Sequence, residues 1–145
     1  MSNVLRLALV DPNDSSRETL KAMLLGMDTV WLEADCSRYE FFPDIVDQTT
    51  PDVGVISLDT DSTAAIKLIE RITRETPDTA LLATSAVSDG QLILQAIRAG
   101  AREFLTLPLV EEELSSALGR ISQTKFGGGD TRSRSCEVIA IAGAT

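Results

Sequence analysis

The sequence predicts an α/β domain built on a doubly wound, five-stranded parallel sheet. Short apolar, β-branched runs alternate five times with stretches of helical periodicity, which is the pattern of repeated strand–helix units. The connections between these units are short, which favours parallel neighbouring strands with helices on both faces of the sheet. The chain has 145 residues, of which 43% are hydrophobic and 24% charged, a balance typical of one domain that folds around its own core.

The first two repeats are predicted from an apolar run and from helix signals. The first strand is expected over Val4–Val10, and the helix after it is expected to begin at a capping box formed by Ser15 and Glu18. The second strand is expected over Val30–Ala34, and Pro43 suits the first turn of a weaker second helix. The apolar positions expected to face the core from these helices are Leu20, Met23, Leu24, Met27, Phe42, Ile45 and Val46.

The third and fourth repeats have similar signals. The third strand is predicted over Val53–Leu58, and Pro77 marks the end of the helix that follows it. The fourth strand is predicted over Ala80–Ser85, and Ser88 with Gln91 has the spacing of a second capping box. The core positions expected in the third helix are Ala65, Leu68, Ile69 and Ile72.

The fifth repeat closes the sheet. The fourth helix is predicted to end at Ala99, because Gly100 suits the left-handed position after a helix. A short strand over Glu103–Leu107 ends at Pro108, and a last helix follows. The core positions expected in that helix are Leu114, Ala117, Leu118 and Ile121.

The glycine- and serine-rich stretch after the last helix predicts a domain boundary. We assign residues 1–124 to the α/β domain and residues 125–135, which include FGGGD, to a flexible linker. Residues 136–145 form the apolar run CEVIAIAGAT, which we interpret as the truncated first strand of a following domain.

Composition excludes several functions. The chain has 22 acidic and 13 basic residues, for a net charge of −9, which disfavours binding to a nucleic-acid backbone. It contains no histidine, which excludes catalytic triads, His-bearing zinc sites and histidine phosphotransfer on this chain.

The cysteines and the N-terminus indicate a cytoplasmic protein. Cys36 and Cys136 are too few for a disulfide framework, which favours a reducing compartment. The first apolar run meets Asp11 and Pro12 too soon for a signal peptide or a membrane span, so we expect no direct membrane insertion.

The functional site of such a sheet is expected where the strands end, near the switch in strand order. The residues selected by this rule are Asp11, Pro12, Asn13 and Asp14 after the first strand, Ser57, Leu58 and Asp59 at the end of the third, Ser85 after the fourth, and Leu107 and Pro108 after the fifth.

Two segments resemble a known family. PDVGVISLD, residues 51–59, looks like the third strand of the CheY-like receiver domains of bacterial response regulators. AIRAGAREFLTLPL, residues 96–109, closely resembles the same family from the fourth helix through the fifth strand. The resemblance covers residues 4–123 in the family's order and implies its flavodoxin-like (βα)5 fold.

The resemblance also implies a phosphorylation pocket. In receivers of two-component systems, an acidic pair after the first strand binds magnesium, and an aspartate ending the third strand accepts phosphate from a histidine kinase. A hydroxyl and a lysine complete that pocket. Position by position, Asp11 retains the first acid and Ser85 the hydroxyl, but Pro12 replaces the second acid, Ser57 the acceptor and Leu107 the lysine.

These departures predict a degenerate pocket with no catalytic residue and no magnesium or other cofactor. Asp11 and Asp14 are the side chains that a metal would use if one were held there. Asp59 is an alternative, displaced phosphoacceptor, since it has the side-chain parity of Ser57 but lies roughly 6–7 Å farther along a continuing strand. The simpler interpretation is that Asp59 and Asp61 cap the third helix.

A pocket of this kind shifts the expected function to the surface. Receiver domains commonly dimerise or bind partners through their fourth helix, fifth strand and fifth helix. Leu94 falls outside the apolar stripe of Leu92, Ile93, Ala96 and Ile97, so it is expected on that surface. The candidate interaction face consists of Leu94, Phe104 at the family's aromatic switch position, Leu109 and Val110. The alternative is that these residues pack locally.

The C-terminal residues 125–145 point to a particular group of proteins within this resemblance. A degenerate receiver, a linker and the strand VIAIAGAT together resemble the N-terminal part of CpaE/TadZ-type pilus-assembly proteins, whose second domain is a ParA/MinD-like P-loop ATPase. This implies pilus or secretion assembly proteins as partners, a homodimer as a further option, and recruitment to the inner membrane or cell pole. The alternatives are a phosphorelay receiver that uses Asp59, and a small-molecule-binding domain, since residues 51–62 have some resemblance to cobalamin-binding domains.

Overall fold

A computed structural model describes residues 4–87 and 89–124, which form five alternating strands and helices. The strands are β1 (Leu5–Val10), β2 (Val30–Cys36), β3 (Val53–Ser57), β4 (Ala80–Ser85) and β5 (Glu103–Thr106). The helices are α1 (Asp14–Leu25), α2 (Phe42–Thr49), α3 (Ser62–Glu75), α4 (Gly90–Ala99) and α5 (Glu111–Ser122), with a short 3₁₀ turn, Tyr39–Phe41, before α2. The predicted fold class is confirmed.

The strands form a parallel sheet in the order β2-β1-β3-β4-β5. The order reverses between β1 and β3, because the chain first moves outward to β2 and then returns to the other side of β1. Val10 pairs with Ile56 and Ser57 with Thr84, so β1, β3 and β4 end close together. A functional site at the carboxyl edge would therefore draw its residues from these three strands.

Each face of the sheet buries a separate apolar cluster. On one face Ala8, Val10 and Ile56 pack with residues of α2, α3 and α4. On the other face Leu7, Leu9 and Val55 pack with residues of α1 and α5. Most of the predicted core positions are buried, although Met23, Met27 and Ile45 are only partly so. Ile97 is 43% exposed, and its predicted place in the core stripe of α4 is wrong.

The predicted helix N-termini are close but shifted. Asn13 caps α1, its side-chain oxygen accepting from the Ser16 N–H at 2.9 Å, so the predicted capping box of Ser15 and Glu18 is wrong. Asp89 caps α4 by accepting from the Gln91 N–H at 3.0 Å, whereas the predicted Ser88 lies outside the described residues. Periodicity places a helix start only to within a residue or two, and neighbouring polar residues then compete for the cap.

The proposed linker and second-domain strand, residues 125–135 and 136–145, lie outside the described residues. Across residues 4–87 and 89–124, no helix has both the length and the apolar character needed to cross a membrane.

Gly100 ends α4 in a conformation that an alanine would not share. Its φ is +131°, and a Cβ there would lie 2.0 Å from the Thr73 Oγ1 atom. We expect Gly100→Ala to lower the free energy of unfolding by about 1–3 kcal/mol or more, measured by urea denaturation. The control is Gly119→Ala within α5, where a Cβ meets open space and helix propensity should raise stability by up to about 1 kcal/mol. Equal effects of the two substitutions would contradict this account of the α4 terminus.

Candidate functional site

The carboxyl ends of the central strands bring the polar residues selected from the sequence together. Asp11 follows β1, Ser57 ends β3 and Ser85 ends β4, and each is at most 2% exposed. Backbone hydrogen bonds hold these ends in place, since the Leu58 N–H donates to the Thr84 carbonyl at 2.8 Å and the Leu107 N–H to the Ser85 carbonyl at 2.8 Å. The site is therefore a buried polar cluster at the edge of an apolar sheet.

The Asp11 carboxylate is used by the β1–α1 connection. One oxygen accepts from the Asn13 N–H at 2.9 Å, and the other accepts a short hydrogen bond from the Ser16 hydroxyl. The Arg17 guanidinium donates to the Asp11 carbonyl at 2.9 Å and also pairs with Asp14 at 2.7 Å. Asp11 thus ties the end of β1 to the first turn of α1.

Asp59 does not lie on β3. The prediction from the sequence places it farther along the same strand, on the assumption that the strand continues. The strand ends at Ser57, and Leu58 turns into the core, where it is 1% exposed. The Asp59 carboxylate then reaches across to β4, where it accepts from the Ser85 hydroxyl at 2.6 Å and from the Ala86 N–H at 2.8 and 3.1 Å.

Of the two residues predicted to cap α3, only Asp61 does so. Asp61 is the N-cap, and its carboxylate accepts from the Ala64 N–H at 3.1 Å. The prediction that Asp59 shares this role is wrong, because its carboxylate is turned toward Ser85.

Tyr39 is a site residue that the sequence analysis missed. Its hydroxyl donates to the Ser57 carbonyl at 2.6 Å, from the 3₁₀ turn between β2 and α2. Burial, together with the negative charges of Asp11, Asp61 and Asp59, raises the pKa of Tyr39 to about 12 against an opposing interaction with the Asp61 backbone. No periodic pattern marks such a turn; the one available signal was that Tyr39 is the chain's single tyrosine.

The donor set at this edge does not fit a magnesium ion. Magnesium prefers carboxylate oxygens, but both Asp11 oxygens accept from protein donors, and the neighbouring Pro12 and Ser57 carry no carboxylate. Asp14 points instead to Arg17, with which it forms an ion pair at 2.7 Å. Among residues 4–87 and 89–124, no group of three or more His, Cys, Asp or Glu side chains is placed to hold a metal.

The remaining pocket positions are apolar. Leu107, which the resemblance aligned with a lysine, is half-buried and offers no positive charge. Phe104, which the resemblance aligned with an aromatic residue, is half-buried and packs against the cluster beneath α2, α3 and α4.

The candidate interaction face is partly exposed. Leu94 and Val110 are each 47% exposed, and Ile97 adds to the exposed side of α4. Leu109, in contrast, is half-buried against the cluster of α1 and α5, as the local-packing alternative predicted. An open groove of about 390 Å³ follows β5 and α5 and includes Phe104 of this face; it is lined by Phe104, Leu105, Thr106, Glu112, Glu113, Ser116 and Arg120.

Solved structures of receiver domains share this fold. The signal receiver domain of the candidate response regulator NarL from Mycobacterium tuberculosis is 17% identical, with a TM-score of 0.76, covering 83% of this chain and 98% of that chain. A candidate pilus assembly-related protein from Burkholderia pseudomallei is 22% identical, with a TM-score of 0.75, covering 84% and 92%. A candidate pilus assembly protein, CpaE, from Burkholderia thailandensis is 21% identical, with a TM-score of 0.74, covering 83% and 99%.

Neither a protein-family profile nor a curated protein matches the sequence. The likeness to solved structures, all of low identity, establishes the flavodoxin-like receiver fold.

The raised pKa of Tyr39 can be measured directly because the chain has no other tyrosine. We expect the phenolate absorbance of the folded protein to rise with a midpoint near pH 12, against about 10 in urea. A folded pKa above the unfolded one stabilises the fold fully below pH ~10, and this contribution is lost as the pH rises through about 12. Tyr39→Phe should abolish the absorbance change, and a midpoint near 10 while circular dichroism still reports a folded chain would contradict the placement of this hydroxyl.

Proposed function

We propose that this receiver-like domain is a noncatalytic protein-interaction module of a pilus-assembly protein. The observation that carries the proposal is that the polar side chains at the carboxyl ends of the strands form hydrogen bonds with one another and with the neighbouring backbone. Ser57 stands at the acceptor position, while the carboxylates of Asp11 and Asp59 accept hydrogen bonds from neighbouring protein groups.

The chemistry of Ser57 supports a noncatalytic role. A serine hydroxyl cannot form the acyl phosphate that an aspartate forms, and it needs a general base to act as a nucleophile. The chain contains no histidine to supply one, and Leu107 provides no cation to stabilise phosphoryl charge. The domain would accordingly need no magnesium, and its function would come from its surface.

The link to pilus assembly rests on two supports. Two of the solved structures with this fold are described as pilus assembly proteins, one of them as CpaE. Independently, the amino-acid sequence VIAIAGAT, residues 138–145, resembles the start of the ATPase domain in CpaE/TadZ-type proteins. The domain would then recruit or assemble such an ATPase through contacts with pilus or secretion proteins in the cytoplasm.

Phosphodonor treatment tests the noncatalytic role. After incubation with acetyl phosphate and Mg²⁺, we expect intact mass spectrometry to show the unmodified chain, because the acceptor carboxylate and the lysine are absent. A receiver with the complete acidic set, treated in parallel, serves as the positive control. A phosphoryl adduct that disappears in Asp59→Ala would overturn the proposal in favour of a phosphorelay receiver.

The interaction face has its own test, with a second copy of the chain as the partner. We expect weak self-association in sedimentation equilibrium that grows with ionic strength, since salt screens the repulsion between two chains of charge −9. Leu94→Glu and Val110→Glu should abolish it, because each places a charge on apolar surface that is 47% exposed.

The matched control is Leu25→Glu, at the end of α1, where the side chain is 70% exposed but lies outside the face. It should leave self-association unchanged. A chain that stays monomeric at high concentration, or equal effects of Leu25→Glu and Leu94→Glu, would contradict this face.

A further inference from the structure

Asp59 occupies a position that the proposed function does not yet explain. We propose that its carboxylate is a permanent internal ligand of the β4–α4 connection, which fixes the N-terminal half of α4 without phosphorylation. The significance of this lock for partner binding rests on the proposed function, whereas the lock itself rests on the contacts of Asp59.

The side chains of Asp59 and Ser85 accept hydrogen bonds from donors of three consecutive residues, Ser85, Ala86 and Val87. The Asp59 carboxylate accepts from the Ser85 hydroxyl at 2.6 Å and from the Ala86 N–H at 2.8 and 3.1 Å. The Ser85 oxygen in turn accepts from the Val87 N–H at 3.0 Å. The turn that leaves β4 is therefore organised around one carboxylate supplied by the end of β3.

Burial protects one of the contacts of this carboxylate, that with Ser85, while Asp59 and Ala86 themselves are exposed. Ser85 is fully buried, so its hydroxyl has little access to a water molecule that could substitute for the Asp59 oxygen. Hydrogen bonds to an ionised carboxylate are also about twice as strong as those between neutral groups. Loss of Asp59 should therefore free the Ala86 N–H and leave the Ser85 hydroxyl, whose oxygen accepts from the Val87 N–H, without its own acceptor.

Besides the Asp89 cap and the partial packing of Leu92 against the cluster of α2, α3 and α4, the N-terminal half of α4 has few buried residues. Gly90 and Gln91 are exposed, and Leu92 and Ile93 are only half-buried. The fully packed residues of the helix, Ala96 and Ala99, lie toward its other end, which Gly100 terminates. Segments with few buried contacts open most readily, so a tether just before α4 has a strong effect on its first turns.

Covalent attachment makes the lock permanent. Asp59 lies two residues beyond the end of β3, so its carboxylate is held beside Ser85 at a high effective concentration. An external anion would have to displace this tethered group. The tether thus favours one arrangement of the residues that lead into α4.

Hydrogen exchange on the full chain tests the lock. In Asp59→Ala we expect the amides of Ala86, Val87 and the first turns of α4 to exchange about tenfold faster, with the amides of β1 and β3 unchanged. Asp59→Asn, which keeps a side-chain acceptor, should show a smaller effect. The matched control is Asp61→Ala, which should speed exchange at the Ala64 amide in α3 but not in α4.

Each outcome of the exchange experiment either supports or overturns the proposal. Unchanged exchange in Asp59→Ala, or a uniform rise throughout the sheet, overturns the lock, and a rise confined to Ala86 and Val87 overturns its coupling to α4. Failure of the lock is distinct from failure of the proposed function, because the latter is shown by a phosphoryl adduct on the wild-type chain, whatever the exchange rates.

Discussion

The parallel pairing of β1, β3 and β4 is the constraint on which the rest of the molecule depends. Every residue of β3 is buried, because helices cover both faces of the sheet at its centre. Packing is so close that a Cβ on Gly54 would lie 2.9 Å from the Leu81 Cδ2 atom. The same parallel arrangement brings the polar ends of three strands to one edge, where their donors and acceptors need partners.

At that edge the polar groups form hydrogen bonds with other groups of the same domain. Asp11 accepts from Asn13 and Ser16, Tyr39 donates to the Ser57 carbonyl, and Asp59 accepts from Ser85 and Ala86. Each of these contacts joins the end of a strand to a neighbouring connection. Together they stabilise the carboxyl edge of the sheet. The carboxylates of Asp11 and Asp59 therefore hold the connections that follow β1 and β4.

The sequence predicts the strands and cores well because burial imposes a periodic pattern, as in Ala80–Ser85, whose predicted and observed bounds agree. It predicts the site less well. The direction of Asp59 depends on where β3 stops, and no parity rule reveals that Leu58 turns into the core. Tyr39 reaches Ser57 from an aperiodic turn, a contact between residues 18 positions apart that local patterns cannot encode.

Both edges of the described sheet carry ion pairs that a docking partner would meet. At the β2 edge, Glu33 pairs with Arg6 at 2.6 Å and Asp35 lies 3.5 Å from Lys21, so a docking surface there would have to desolvate ion pairs beside the exposed Trp31. At the β5 edge, Glu103 of the strand pairs with Arg120 of α5 at 2.7 Å, while the exposed Leu94 lies on α4 and the exposed Val110 directly precedes α5. Burial of Leu94 and Val110 would be favourable, but a partner that also covered β5 would have to desolvate the Glu103–Arg120 pair. An apolar partner surface is therefore accommodated at these two side chains and not along the strand itself.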